Sequence, residues 1–262
     1  MVKILNLNVK EIGESLKNAG NLNISPLIIY GSDNLPENAE PMCSIDRCIA
    51  KAVTEISIKN KMHPLYISKE TFKGCCPGAM TYLGYTKPLK YIKYFVSTGN
   101  EKFSGGDAEY LKASPELVEK FIESLGEIKK IKKYLIIQKC EDFKDNANAR
   151  SFLCFGKGEQ IRNLASLIHF RTENPFNAIN MPFGPACSTF ITYPAGLAEK
   201  TPKDTAFVGP VDPTGNVWFP PEYMAIGIPV DLAIKMHEDI ENSFISKRPN
   251  VAYPETRDEI VP

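Results

Sequence analysis

Two short cysteine-containing turns carry the residues best suited to chemistry. One turn spans residues 74–79 and the other spans residues 184–189, and each places glycine and small residues beside a thiol. Both lead from a loop into what the sequence predicts as a short helix. Unpaired backbone N–H groups at a helix start favour a thiolate, the form that binds metals and attacks electrophiles. The candidate ligand- or cofactor-binding residues in these turns are Cys75, Cys76, Gly78, Ala79 and Cys187.

An aromatic and proline-rich block at residues 193–223 follows the second turn. It contributes Tyr193, Trp218 and the carboxylate of Asp212 as further candidate contacts. Small-molecule pockets are mostly apolar with a few convergent polar groups, and such a block suits the wall of one. Packing of the prolines against a sheet edge explains the same residues without any ligand. The sequence leaves both interpretations open.

Metal binding is one use for the thiols, because thiolates select zinc, copper(I) and iron–sulfur clusters. The thiols available for it are Cys75, Cys76, Cys187 and Cys43. The chain has no C-x-x-C pair, however, and the side chains of adjacent cysteines diverge. The cofactor is therefore unknown, with a soft metal or an iron–sulfur cluster as an alternative.

Thiol catalysis is a second alternative, with Cys76 or Cys187 as the nucleophile or redox group. Such a thiol needs a base nearby, and the histidines of the chain are His63, His169 and His237. Each of these is predicted to be a surface or packing residue, which leaves Asp and Glu as the other source of a base. A third alternative is that the turns only pack, because free cysteine often behaves as a small buried hydrophobe.

The charges and the cysteine count restrict the class of protein. Lys plus Arg and Asp plus Glu both number 31, so the net charge is zero, whereas nucleic-acid binding normally needs a basic surplus. The seven cysteines are irregularly spaced, which favours free thiols in a reducing compartment. No apolar run indicates a secretion signal or a membrane span. We therefore predict a cytoplasmic protein without nucleic-acid or membrane partners, and a homo-oligomer is left open.

Helices and strands alternate along the chain and position these residues. Periodic apolar residues predict helices at residues 9–19, 45–56, 115–125, 160–170 and 230–244. Short apolar runs predict strands at residues 27–30, 65–68, 92–97, 134–138, 152–155, 206–208 and 217–219. Ser44 and Ser114 are predicted N-caps, residues 99–106 are predicted as loop, and Cys48, Cys140 and Cys154 are predicted core. Interleaved strands and helices indicate an α/β fold, with mixed α+β as its variant, built as a compact layered sheet-and-helix domain.

One domain over residues 1–262 is the simplest organisation, with an extended tail at residues 247–262. An alternative is a pair of pseudo-symmetric halves, residues 1–107 and 108–246. In each half, a strand and a helix precede one of the cysteine turns.

Superposing the two turns would set Cys76 against Cys187 and Tyr82 near Tyr193. A pseudo-two-fold axis would then direct both thiols into one central cleft. The alternative is a coincidence over a dozen residues.

Four sequence blocks carry a family resemblance. They read FKGCCPGAMTYLGY, SFLCFGKGEQIRNLASLIHF, MPFGPACSTFITYPAG and FVGPVDPTGNVWFPPEYMAIGIPVDLAIKMHEDIENSF. With them the chain resembles the archaeal conserved-region (ArCR) family, domain of unknown function 169, from about Thr71 to Phe244. The positions that match the family are Cys76, Gly78, Ala79, Leu83, Gly84 and Cys187. The resemblance implies a family and no reaction, and the tandem Cys75 is not among the matching positions.

The leading functional hypothesis is a small-molecule or cofactor-binding protein. Its cleft is expected to be lined by Cys76, Cys187 and the aromatic block. A thiol-dependent or metal or iron–sulfur redox enzyme is the first alternative. A structural or partner-binding protein without a ligand is the second.

Overall fold

One sheet of eight strands carries helices on both faces in the part of the chain that the computed structural model describes, residues 8–42, 48–58, 63–71, 76–144 and 148–255. The strands are β1 (Leu27–Ser32), β2 (Glu40–Pro41), β3 (Leu65–Ile67), β4 (Tyr134–Lys139), β5 (Ala149–Lys157), β6 (Ile179–Asn180), β7 (Ala206–Gly209) and β8 (Tyr223–Pro229). The helices are α1 (Val9–Gly20), α2 (Ile49–Ile58), α3 (Pro77–Tyr82), α4 (Ile92–Val96), α5 (Glu101–Ser104), α6 (Pro115–Ser124), α7 (Gly158–Ile168), α8 (Val230–Asp239), α9 (Phe244–Lys247) and α10 (Pro249–Ala252). This mixed architecture confirms the predicted α/β class.

The strand order is β2-β3-β4-β1-β5-β8-β7-β6. The central strands β1 and β5 are antiparallel, with Leu27 opposite Leu153, and the two outermost pairs, β2 with β3 and β6 with β7, are parallel. Strands β1 to β4 lie on one side of the centre and β5 to β8 on the other. Each strand of the first set occupies the same position and direction, counted from its own edge, as the corresponding strand of the second set. The second set of four strands begins with β5, so the repeat of the strand pattern begins after Lys139. The internal duplication itself stays a prediction.

Two apolar cores lie on opposite faces of the sheet, because successive side chains of a strand point in opposite directions. Ile28 and Tyr30 of β1 belong to the core beneath α1, α7 and α8. Leu27 and Ile29 belong to the second core, with α2, α3 and the segment that contains Cys187. The second core is therefore the one that positions the cysteine turns.

Local sequence signals set the ends of several helices. The hydroxyl of Ser114 accepts the N–H of Leu117 at 3.3 Å and caps α6, which confirms that predicted N-cap. Asn8 caps α1 in the same manner, and Asn21 ends that helix in the left-handed conformation. The predicted cap Ser44 lies outside the described residues, and α2 begins at Ile49.

Two predicted strands are wrong. Residues 92–97 contain α4, in which the N–H of Phe95 donates to the carbonyl of Tyr91, because an apolar run this short fits a helix as well as a strand. Residues 217–219 fall largely in the 3₁₀-helix Pro213–Trp218. There the carboxylate of Asp212 accepts the N–H of Thr214 at 2.9 Å and favours a turn.

The C-terminal third also departs from the sequence predictions. Strand β8 was not predicted, because Gly227 and Pro229 weaken its strand pattern. The helix predicted over residues 230–244 ends at Asp239, and Ser243 caps the next helix, α9. The tail is not wholly extended, since α10 lies within its described part.

Two other expectations are also wrong, one about a loop and one about a cysteine. The predicted loop at residues 99–106 contains α5, which Asn100 caps. Cys140 and Cys154 are buried core residues as predicted, whereas Cys48 is half-buried. Among the helices described, none has the length and apolarity needed to cross a membrane.

Candidate functional site

The second cysteine turn ends in a π-helix, Ser188–Thr192, which begins directly after Cys187. The N–H of Tyr193 donates to the carbonyl of Ser188 at 2.9 Å, five residues back. Gly184 precedes this helix with a φ of +150°, and a Cβ there would collide with the Ser188 hydroxyl. The predicted short helix is therefore present with π geometry, which is rare and often occurs at functional sites.

Two glycines let the π-helix lie directly on the sheet. A Cβ on Gly227 would lie 2.6 Å from Cγ of Pro194 and 2.9 Å from the carbonyl oxygen of Thr189. A Cβ on Gly209 would lie 2.5 Å from the Thr189 hydroxyl oxygen. Because any larger residue would push the turn outward, these glycines set the position of Cys187 above β7 and β8.

The thiol of Cys187 is surrounded by other ionisable groups. Its electrostatic neighbours include Cys76 and Cys48, and these three residues are called the thiol cluster below. Burial, with only 6% of Cys187 exposed, raises the pKa of its thiol well above the usual range, and the two other thiols and Asp212 raise it further. The expected thiolate at a helix start is therefore wrong for Cys187, because loss of solvation outweighs the backbone N–H groups.

The first cysteine turn meets the second through a hydrogen bond between their helices. The hydroxyl of Thr192 donates to the carbonyl of Tyr82, the last residue of α3, at 2.5 Å. Cys76 stands at the other end of α3 as its N-cap and is exposed, in contrast to Cys187. The structure therefore brings Cys76 and Cys187 into one neighbourhood, with one thiol open to solvent and the other enclosed.

The remaining predicted site residues of the first turn and the aromatic block range from buried to partly exposed. A Cβ on Gly78 would lie 3.6 Å from Sγ of Cys76, and Ala79 is buried in the core. Cys75 lies outside the described residues. The ring of Trp218 is partly exposed and is covered by the ammonium group of Lys51 of α2, 4.5 Å from the ring centroid.

A pair of carboxyl groups adjoins the thiol cluster. Asp212 is buried, with 7% exposed, and its charge raises the pKa of Glu109, Tyr82 and Cys187. For Glu109, burial is the larger cause, and the two together raise the pKa to about 7. Tyr82 is a neutral phenol, because burial and then Tyr193 raise its pKa well above the usual value. Such a cluster of perturbed groups is typical of functional sites.

Glu109 was not predicted from the sequence. It is an isolated glutamate in a loop, with no motif around it, and only the fold brings it near Asp212. The loop is held in place because the N–H of Glu109 donates to the carbonyl of Phe95 at 2.7 Å. The unusual positive φ of the next residue, Tyr110, is visible only in the structure.

A cavity of about 420 Å³, called the aromatic groove below, has Tyr193 in its wall. Its lining residues are Phe121, Ser124, Leu125, Asn180, Met181, Pro182, Phe183, Tyr193, Lys200, Thr201, Pro202 and Phe207. The hydroxyl of Tyr193 donates to the carbonyl of Phe183 at 3.3 Å, and its ring packs on Phe207 with centroids 5.6 Å apart. Burial raises the pKa of Tyr193 to about 12, with a further contribution from Cys187. Tyr193 therefore joins the groove to the thiol cluster.

The donor set gives little support to a metal centre. In the described part of the chain, no group of three or more His, Cys, Asp or Glu side chains is arranged to hold a metal ion. The thiol cluster therefore does not fit a tetrahedral thiolate site by itself. Cys43 and Cys75, the other predicted ligands, lie outside the described residues.

The comparisons with known proteins identify a family. No curated protein and no solved structure is similar enough to match the chain. The family model DUF169, described as uncharacterised ArCR, matches residues 15–239, which include both cysteine turns and all eight strands. The predicted resemblance is thereby confirmed, and the chain belongs to the DUF169 family.

Proposed function

We propose that the protein binds a small organic molecule in the aromatic groove, next to the thiol cluster. The observation that carries the proposal is the groove itself, a cavity of about 420 Å³ whose walls include four aromatic rings and a few polar groups. Cavities of this size and composition are typical of small-molecule sites. The rings are Phe121, Phe183, Tyr193 and Phe207.

The proposed cleft differs in position from the one that the sequence predicts. Cys76 and Cys187 are not among the residues that line the groove, whereas Tyr193 is. The thiol cluster adjoins the groove through Tyr193, whose pKa responds to Cys187. A ligand is therefore proposed to lie against the aromatic rings, with the buried thiol behind Tyr193.

Binding of a neutral aromatic probe, N-phenyl-1-naphthylamine, tests the proposal by fluorescence titration. We expect Phe183→Ala to weaken probe binding about tenfold, since an aromatic contact of this kind contributes about 1.5 kcal/mol. Phe176→Ala is the matched control, because Phe176 is 81% exposed and does not line the groove. Circular dichroism melting checks that both variants fold. No binding to the wild type, or equal affinities for all three proteins, would contradict the proposal.

Thiol-dependent catalysis is a second candidate, favoured by Glu109. A carboxyl group with a pKa of about 7 can accept or donate a proton at neutral pH, and it adjoins Asp212 and through it Cys187. Under this hypothesis, Glu109→Gln changes the pH profile with which iodoacetamide alkylates Cys76. An unchanged profile would exclude Glu109 from the chemistry of the thiols.

The proposed setting is a reducing, cytoplasmic compartment. Cys76, Cys140, Cys154 and Cys187 are free thiols, which supports it, and the balanced charge supports the absence of a nucleic-acid partner. A homo-oligomer or another protein partner stays an alternative, because a second cavity of about 410 Å³ between α4 and α6 has the partly exposed Leu89 and Phe103 in its lining. Sedimentation at several concentrations distinguishes a monomer from an oligomer.

A further inference from the structure

We infer that the ligand of the aromatic groove is an organic anion, a molecule with an aromatic or apolar body and one negatively charged group. This inference rests on the proposed function, that the groove binds a small molecule. It adds the charge of the ligand and the end of the groove that recognises this charge. The residues that favour such an anion are Lys200, Lys112, Thr201 and Asn180.

The charge of the groove is positive. Lys200 lines it, and its ammonium group makes one long hydrogen bond, 3.5 Å, to the backbone carbonyl of Glu123. The lining contains no aspartate or glutamate. Lys200 is therefore a cation without a carboxylate partner in the part of the chain that the structure describes.

A second cation lies on the aromatic wall. The Nζ atom of Lys112 is 4.2 Å from the ring centroid of Phe183 and 5.4 Å from that of Phe121, and both rings line the groove. Within the described residues, Lys112 also makes no ion pair. Lys112 does not itself line the groove, but its charge is held against two of the lining rings, and from there it favours an anion over a neutral or cationic molecule.

Two further polar side chains line the groove with Lys200. The hydroxyl of Thr201 is buried without a hydrogen-bond partner among the described residues, which is unfavourable for a polar atom. The side-chain amide of Asn180, which also lines the groove, makes no hydrogen bond within those residues. Hydroxyl, amide and ammonium groups all donate hydrogen bonds, so together they suit the oxygens of a carboxylate or sulfonate.

The nearby carboxylates do not oppose this assignment. Glu199, next to Lys200 in the chain, uses its carboxylate to accept the N–H of Glu127 at 3.1 Å and does not line the groove. Asp212 lies near Tyr82 and Cys187, Glu109 lies near Asp212, and neither carboxylate lines the groove. The anionic group of the ligand is therefore expected at the Lys200 end, and the apolar body against the rings.

Two matched probes test the inference on the whole chain. 8-Anilinonaphthalene-1-sulfonate and N-phenyl-1-naphthylamine share their aromatic rings, and only the first carries a sulfonate. We expect the wild type to bind the sulfonate about tenfold more tightly than the neutral probe, because Lys200 contacts the charge directly and Lys112 attracts it from the aromatic wall. Lys200→Met should reduce the ratio of the two affinities about fivefold and leave the affinity for the neutral probe unchanged. Lys203→Met, which alters an exposed lysine outside the groove, should change neither.

Thr201→Val adds a readout that a merely structural role would not produce. It replaces the unpartnered hydroxyl with a methyl group of similar size, so the melting temperature should stay equal or rise while sulfonate affinity falls severalfold. Equal affinity of the wild type for the two probes would overturn the inference and leave the proposed function intact. Binding of neither probe would overturn both. A sulfonate preference that survives Lys200→Met and Lys112→Met together would also overturn the inference.

Discussion

The protonation of Glu109 predicts a specific dependence of stability on pH. Its pKa is about 7 in the folded protein, against an ordinary value of 4.5, so the folded state binds this proton more tightly than the unfolded state does. The free energy of unfolding should therefore fall as the pH rises from about 4.5 to about 7, and this contribution should stay constant above that range. Full conversion of the shift gives about 3 kcal/mol, but the side chain is only half-buried, so solvent reduces the expected loss to about 1 kcal/mol.

Glu109→Gln should remove this loss, because glutamine is neutral throughout. Urea unfolding at about pH 4.5 and about pH 8 measures the difference between variant and wild type. The quantity compared is the free energy of unfolding of the variant minus that of the wild type. We expect this difference to be about 1 kcal/mol more favourable to the variant at the higher pH than at the lower pH. Glu173→Gln, at an exposed loop position, serves as the control for loss of one charge. The reasoning would be refuted if the stability difference between Glu109→Gln and the wild type were the same at both pH values.

Two further predictions concern the packing and exposure of the turns. Gly227→Ala should lower stability by about 2–3 kcal/mol in urea unfolding, since its methyl group would overlap the π-helix segment. Gly158→Ala, where a Cβ would meet nothing within 4 Å, should be nearly neutral, and equal effects of the two would contradict the packing described. In the folded protein, iodoacetamide should alkylate the exposed Cys76 well before the buried Cys187, as peptide mass spectrometry can show. Faster reaction of Cys187 would mean that its thiol is not enclosed.

Local patterns were sufficient to predict the fold class and most central strands. Apolar runs such as residues 134–138 and 152–155 are strands in the structure, because they are bounded by turn residues and buried on both faces. The cap at Ser114 was equally local, since one hydroxyl and one nearby N–H define it. The strand prediction from a short apolar run was wrong where a neighbouring side chain stabilises another backbone conformation. Asp212 does so for the 3₁₀-helix that follows it.

The candidate site could be predicted only in part. Cys187 and Tyr193 stood out because the turn around them is rich in small and aromatic residues, and both are part of the site described. Glu109 and Thr201 could not be identified as site residues from the sequence. Glu109 belongs to the site because it lies near Asp212, and Thr201 because its buried hydroxyl has no hydrogen-bond partner among the described residues. Both properties depend on contacts between distant parts of the chain. The sequence also predicts a thiolate at Cys187, whereas burial in the folded core raises its pKa and keeps it a neutral thiol.

A crystal structure of the protein soaked with 8-anilinonaphthalene-1-sulfonate tests the proposed ligand site most directly. We expect the naphthalene rings between Phe183 and Tyr193, with the sulfonate within hydrogen-bond distance of Lys200. Probe density only in the second cavity, beside Tyr94 and Phe103, would contradict the assignment of the aromatic groove as the binding site.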